Sequence, residues 1–218
     1  MTILDPATAY RAWAPHYEET AVSWLEADTV SSLGLTLEQG RLLDAGCGRA
    51  RPLDGVDASL CVGVDLVPRM LQCAATNAFL AAADVRALPF RDRTFDAAWC
   101  RLVIGHVHEL AGVYEELARI CRRGGTVLVT DFHPDAVAAG HRRTFTDEAS
   151  RTWEIEHHVH TFGAHLAAAE HAGLTLVARR DGEVSPAIRP FYERAGRLER
   201  YDAQVGLRLV LALVFRAA

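Results

Sequence analysis

The chain contains no lysine; all 23 of its basic residues are arginines. That absence removes mechanisms built on a lysine amine, among them Schiff-base catalysis and the lysine grip of a Walker A phosphate loop. Cysteine is sparse. Cys47, Cys61, Cys73, Cys100 and Cys121 are odd in number, widely spaced and without a C-x-x-C pair, which argues against a disulfide framework and predicts reduced thiols in a cytoplasmic protein. No apolar run approaches the roughly 20 residues that span a bilayer. The opening residues carry neither the basic nor the apolar region of a signal peptide, so neither a membrane nor a secreted protein is expected. Basic charge forms no block, and 28 acids outnumber the arginines to give a net charge of -5. Nucleic acid is therefore not an expected partner, and a small molecule is. The sequence leaves the oligomeric state open.

An apolar share of 50% over 218 residues is ample for one core, and no repeat or linker divides the chain. A single domain over 1–218 is expected. Apolar residues at helical spacing run through 7–34, closed by Gly34. The runs 41–45 and 60–66 read as buried strands, each ending in or near an aspartate, and Pro68 opens a helix over 68–75. Weaker and stronger apolar runs predict strands at 79–85 and 95–104, a helix at 109–121 and a strand at 126–132. This alternation is that of a parallel sheet with helices on both faces. Residues 133–160 break the rhythm with a hairpin pattern in 142–146 and 152–158. A helix at 162–171, a strand at 174–179, a turn-bearing stretch with Pro186, Pro190 and Gly196, and a last strand at 206–215 complete the chain.

The chemical signal is concentrated where strands end. Leu42-Leu43-Asp44-Ala45-Gly46-Cys47-Gly48 runs a strand into two glycines, which allow backbone to approach a ligand without a Cβ clash. A dinucleotide fingerprint needs a further glycine where Arg51 stands, which counts against NAD. Asp65 follows Asp44 by twenty-one residues, and Asp84 ends the third strand. Any one of these aspartates could be a helix cap, but three on one sheet edge mark the rim where open α/β folds bind ligands.

These segments resemble a class I S-adenosylmethionine-dependent methyltransferase of the small-molecule type, with the likeness running from about Tyr10 to Phe132. The resemblance implies a Rossmann-like, doubly wound, seven-stranded and mostly parallel sheet. Helices cover both faces, the last strand is antiparallel, and a small insert follows strand five. It implies S-adenosylmethionine as cofactor. Asp44, Gly46, Cys47 and Gly48 would wrap its methionine end and Asp65 its ribose. Leu66, Asp84 and Val85 would meet the adenine, and Cys100 would offer a backbone carbonyl. Residues 1–36 would form a helical lid carrying Tyr10, Trp13 and Tyr17, with Tyr17 on the cofactor and the other two on the acceptor. Arg49-Ala50-Arg51-Pro52 departs from the family pattern, and the next helix is expected to be short or irregular.

Methyl transfer needs alignment, exclusion of water and, for a protonated acceptor, a base. Loops after strands four and five offer His106, His108, Glu109 and His133, of which His106 and His133 are the expected catalytic pair. The insert 133–160 is the expected acceptor side, with Arg142, His158 and His160 as binding residues. Arg142 and Arg143 are suited to a carboxylate or phosphate. His158 and His160 share a strand face, yet no spacing supplies further ligands, and no metal is expected. Transfer to an O, N or C atom of a small molecule is the leading reading. Cyclisation of the cofactor to a four-membered ring amino acid with release of methylthioadenosine, and a non-catalytic cofactor-binding module, are the alternatives.

Overall fold

In the computed structural model, which describes residues 2–35 and 40–218, continuous apolar runs, buried on both faces, build the central sheet. Met1 and Thr36, the ends of the expected lid, lie outside the described residues. Seven strands are ordered β4-β3-β2-β5-β6-β10-β9. They are β2 (Arg41–Ala45), β3 (Leu60–Asp65), β4 (Phe79–Ala82), β5 (Phe95–Arg101), β6 (Cys121–Phe132), β9 (Leu174–Glu183) and β10 (Arg208–Ala217). The first five pair in parallel, and β10 runs antiparallel to both β6 and β9. The expected antiparallel last strand thus lies inside the sheet, between its two predecessors.

Leu43, Ala98, Val127, Val129 and Leu213 face one core, which also holds Leu110, Val113 and Leu117 of α4 (Leu110–Ile120) and Ala169 of α6 (Phe162–His171). Their strand neighbours Leu42, Ala97, Leu128 and Val214 face the opposite core, as the pleat requires. On that side α2 (Ala21–Ser31) lies against β9 and β10. Its start is fixed by a capping box in which Thr20 and Ser23 bond each other's backbone amides. Strand order reverses between β2 and β5, so the carboxyl ends of these two strands flank a crevice.

A second sheet was only half visible in the sequence. The hairpin of β7 (Thr144–Thr146) and β8 (Thr152–Ile155) is shorter than its pattern, and β1 (Ile3–Leu4) joins it in parallel. With α1 (Pro6–Trp13) it forms a small core of Ala9, Phe145 and Ile155, on which Trp13 stacks against Phe145 at 5.5 Å. The lid and the insert are therefore one unit. Other differences have local causes. Leu102, at φ 55°, ends β5 before the expected 104, and β6 leaves α4 directly at Cys121. The helix after β3, α3, covers only Pro68–Gln72. The short helix α5 (Pro134–Ala138) follows β6. The stretch read as turns holds α7 (Arg189–Arg194) and α8 (Leu198–Asp202), with Pro190 in the first turn of α7, where a proline is tolerated. Among the described residues no helix is long and apolar enough to cross a membrane.

Candidate active site

A cavity of about 1010 Å³ opens at the carboxyl ends of β2, β3 and β5 beneath the lid. Its floor is the glycine turn. Gly46 and Cys47 donate their amides to the Val64 carbonyl at 2.7 and 2.9 Å, which folds the chain back over β3. Gly46 adopts φ 83°, and a Cβ there would run into Val103, so this position requires glycine on both counts. Ala50 takes a left-handed conformation and Pro52 follows, and a three-residue 3-10 turn, 51–53, comes after the glycine turn. The irregularity expected from Arg49-Ala50-Arg51-Pro52 is present, and no α-helical N-terminus faces the cavity from this turn.

Asp65 organises the turn. Its carboxylate accepts from the Gly48 amide at 2.8 Å and the Val67 amide at 2.8 Å. Burial raises its pKa, and these two amides oppose the shift. Asp44 is different. It is 1% exposed, and neither carboxylate oxygen has a hydrogen-bond partner among the described residues. Burial pushes its pKa up to about 7, against the pull of Arg101 and with the push of Glu26 and Asp65. A buried carboxylate without partners is costly unless a cation or donor arrives. It therefore fits a ligand with a positively charged end.

Residues from the lid close the cavity. Arg49 donates to the Tyr17 carbonyl at 3.0 Å and the Cys73 carbonyl at 2.9 Å, and Arg51 to the Tyr17 carbonyl at 3.2 Å. These arginines tie the lid to the glycine turn, and burial pushes the Tyr17 phenol up. Across the cavity Tyr10, His106 and Arg143 form a chain. His106 Nδ1 lies 3.1 Å from the Glu156 carbonyl, which can only accept, so the proton sits on Nδ1. Nε2 is then free to accept from the Tyr10 hydroxyl at 3.0 Å, and that hydroxyl accepts from Arg143 Nη2 at 3.1 Å. Burial first, and then the Arg143 charge, lower the His106 pKa to about 3, so the ring is neutral at neutral pH.

The cavity brings together Tyr10, Tyr17, Asp44, Gly46, Cys47, Gly48, Asp65, Leu66, Asp84, Val85, His106 and His158 of the expected site residues. Others are placed elsewhere. The side chain of Cys100, on β5, is buried in the core, and of its neighbours Arg101 and Leu102 line the cavity. Trp13 packs between Phe145 and Tyr17. Arg142 points outward to Glu154 at 3.6 Å, because strand alternation sends Arg143 inward. His160 is held by the Val107 carbonyl at 2.9 Å. His133 is the N-cap of α5, its Nδ1 accepting from the Asp135 amide at 3.1 Å, and it does not line the cavity. Asp84 does line it, but Arg86 takes both of its oxygens, at 2.9 and 2.6 Å, and holds its pKa low. Glu26 and Arg101 were not foreseen; the signal was an acid within the apolar pattern of α2. Among the described residues no group of three or more His, Cys, Asp or Glu side chains is placed to hold a metal.

The strand order, the reversal point and this rim are those of one fold class. Residues 43–129 of the chain match the family model described as a methyltransferase domain. A demethylmenaquinone methyltransferase of Roseiflexus castenholzii (strain DSM 13941 / HLO8) is 35% identical over 97 residues, 40% of this chain and 41% of that protein. A malonyl-[acyl-carrier protein] O-methyltransferase of Salmonella typhimurium (strain LT2) is 35% identical over 57% of this chain and 52% of its own length. The chain thus spans about half the length of the curated relatives it matches. In fold it is similar to an S-adenosylmethionine-dependent methyltransferase from Mesorhizobium loti, with a TM-score of 0.67 and 20% identity, covering 88% of this chain and 97% of that one.

Proposed function

We propose that the chain transfers the methyl group of S-adenosylmethionine to an O, N or C atom of a small-molecule acceptor. The observation that carries this reading is Asp44, a buried carboxylate without partners at the edge of a glycine-lined cavity. Asp44 would hold the cationic end of the cofactor, the amides of the 46–48 turn its neighbouring atoms, and Asp65 the sugar hydroxyls. When bound, the cofactor supplies an electrophilic methyl carbon. The protein's own residues supply the rest. Tyr10 and Tyr17 exclude water from above, and the Tyr10 hydroxyl, which donates to Nε2 of the neutral His106 ring, is the group through which an acceptor's proton would pass to that ring. His133 takes no part.

The same reading covers the surroundings. An acceptor that fits a cavity of about 1010 Å³ is a small molecule or the end of a larger one. Five thiols, all free, suit a reducing cytoplasm.

Calorimetric titration with S-adenosylhomocysteine tests the cofactor site. Wild type is expected to bind, and Asp65→Ala to lose at least about tenfold in affinity. Equal affinity in the variant would contradict the assignment. Mass spectrometry of the spent cofactor separates the chemistries, because transfer leaves S-adenosylhomocysteine and cyclisation leaves methylthioadenosine. Tight binding without turnover across a broad acceptor panel would favour a binding module.

A further inference from the structure

Arg143 stands at the start of β7, where its carbonyl accepts from the Ile155 amide at 2.8 Å. Period-two alternation puts its side chain on the same face as the buried Phe145, toward the cavity. All hydrogen bonds of its guanidinium leave from one nitrogen, Nη2. They reach the Tyr10 hydroxyl at 3.1 Å, the Leu102 carbonyl at 3.4 Å and His106 Nε2 at 3.5 Å. Every one of these partners is neutral. Among the described residues no carboxylate lies within 4.0 Å of Arg143, although Arg101 in the same cavity has Glu26 at 2.6 Å. Asp131, an acid of the neighbouring β6, faces His165 at 3.3 Å and His157 at 4.0 Å instead.

An arginine does not shed its proton, so its charge needs a counter-ion when a cavity closes over it. The rim supplies no such ion at this end. The acids Asp44, Asp65 and Asp84 end or follow β2, β3 and β4, whereas Arg143, His106, His108 and His158 gather near the insert. Arg49, Arg51, Arg86 and Arg101 line the cavity too, but Arg86 and Arg101 are paired with Asp84 and Glu26, and Arg49 and Arg51 hold the Tyr17 carbonyl at the glycine turn; on the insert side the arginine is Arg143. The charge is also limited. His106 is neutral, and one guanidinium matches a single negative charge, whereas a phosphate dianion would leave an excess.

We infer that Arg143 binds a carboxylate of the acceptor and so selects acidic acceptors over their neutral analogues. This rests on the methyl-transfer reading of the cavity. Nε and Nη1 make no hydrogen bond among the described residues, which leaves donors of the guanidinium for the oxygens of a carboxylate.

The test is calorimetry with benzoate, benzamide and phenyl phosphate as probes, on the protein alone and saturated with S-adenosylhomocysteine. Benzoate is expected to bind at least about tenfold more tightly than either other probe. Arg143→Gln should erase that preference and keep its S-adenosylhomocysteine affinity within about twofold. Arg143→Lys, which retains the charge but not the spread of guanidinium donors, should fall between, and it decides the matter if the glutamine variant does not fold. Benzoate binding no tighter than benzamide, absence of binding by all three, or an undiminished preference in Arg143→Gln would each overturn the inference. Tighter binding of phenyl phosphate would replace the carboxylate with a phosphoryl group and overturn it in that form. Failure of wild type to bind S-adenosylhomocysteine would instead sink the methyl-transfer reading, while the titrations without cofactor still decide Arg143.

Discussion

Arg101 and Glu26 form a two-pronged ion pair inside the protein, Nε to Oε1 at 2.8 Å and Nη2 to Oε2 at 2.6 Å. The side chains are only 11% and 5% exposed, and the Thr130 hydroxyl donates to Glu26 Oε1 at 2.9 Å. The pair bolts α2 to the carboxyl end of β5. It also sets the field at Asp44, which Arg101 pulls down and Glu26 pushes up.

Breaking this pair on one side leaves a buried charge alone. Glu26→Gln is expected to cost about 3 kcal/mol of folding stability, read from urea unfolding. Replacing both residues, Glu26→Gln with Arg101→Met, should recover much of that loss, because the uncompensated cation is gone. A single variant as stable as wild type would show that the pair carries no structural load.

Asp44 predicts a pH-dependent affinity. Its carboxyl, raised to about 7 by burial, is protonated in the free protein below that pH. A ligand bearing an ammonium group favours the carboxylate, so binding must expel the proton. S-adenosylhomocysteine affinity should rise by up to about tenfold per pH unit as pH climbs toward 7 and level off above it. Calorimetry in buffers of different ionisation enthalpy should detect the proton released. Stability runs the other way. The folded pKa lies above the ordinary value of 3.8, so Asp44's contribution is full below 3.8 and is lost as pH rises through about 7. Asp44→Asn should therefore be more stable than wild type at pH 8, and its weakened affinity should be flat with pH.

Strands at the centre were legible because a buried parallel strand is a plain apolar run, and Asp44 and Asp65 were legible because each ends one. Contacts between distant segments were not. Nothing in Ile3–Leu4 announces a pairing with β8, since two residues carry no periodicity. Glu26 reads as a surface acid until Arg101, 75 residues away, is placed against it. The choice between Arg142 and Arg143 depends on strand phase, which the buried Phe145 settles only once its face is known. His133 misled because the position after a strand end can serve either a site or a helix cap, and Pro134 in the first turn of α5 made it a cap.

That cap makes a prediction opposite to a catalytic role. His133→Ala removes the acceptor for the Asp135 amide, and loss of a cap costs about 1 kcal/mol. The unfolding midpoint should drop accordingly, while the affinity for S-adenosylhomocysteine stays at the wild-type value. His133→Asn, whose side chain can also cap, should restore most of the stability. A variant of normal stability that binds cofactor more weakly would return His133 to the site.

His106, after β5, and His157 of the insert predict an acid-labile lid. Burial, followed by the Arg143 charge, lowers His106 to about 3 and His157 to about 4. Both folded values lie below the ordinary 6.5, so below that pH the unfolded chain takes up protons that the folded chain refuses. Their contribution is therefore full above 6.5 and is lost as pH falls toward 4 and then 3. Each histidine steepens the decline by at most about 1.4 kcal/mol per pH unit. Replacing His106 with glutamine keeps a polar side chain beside Tyr10 but removes the titration. Between pH 7 and pH 5 wild type should lose about 2 kcal/mol more than His106→Gln in urea unfolding. Parallel acid limbs in the two proteins would mean that the ring is already protonated when folded, and the neutral acceptor at Nε2 would have to be abandoned.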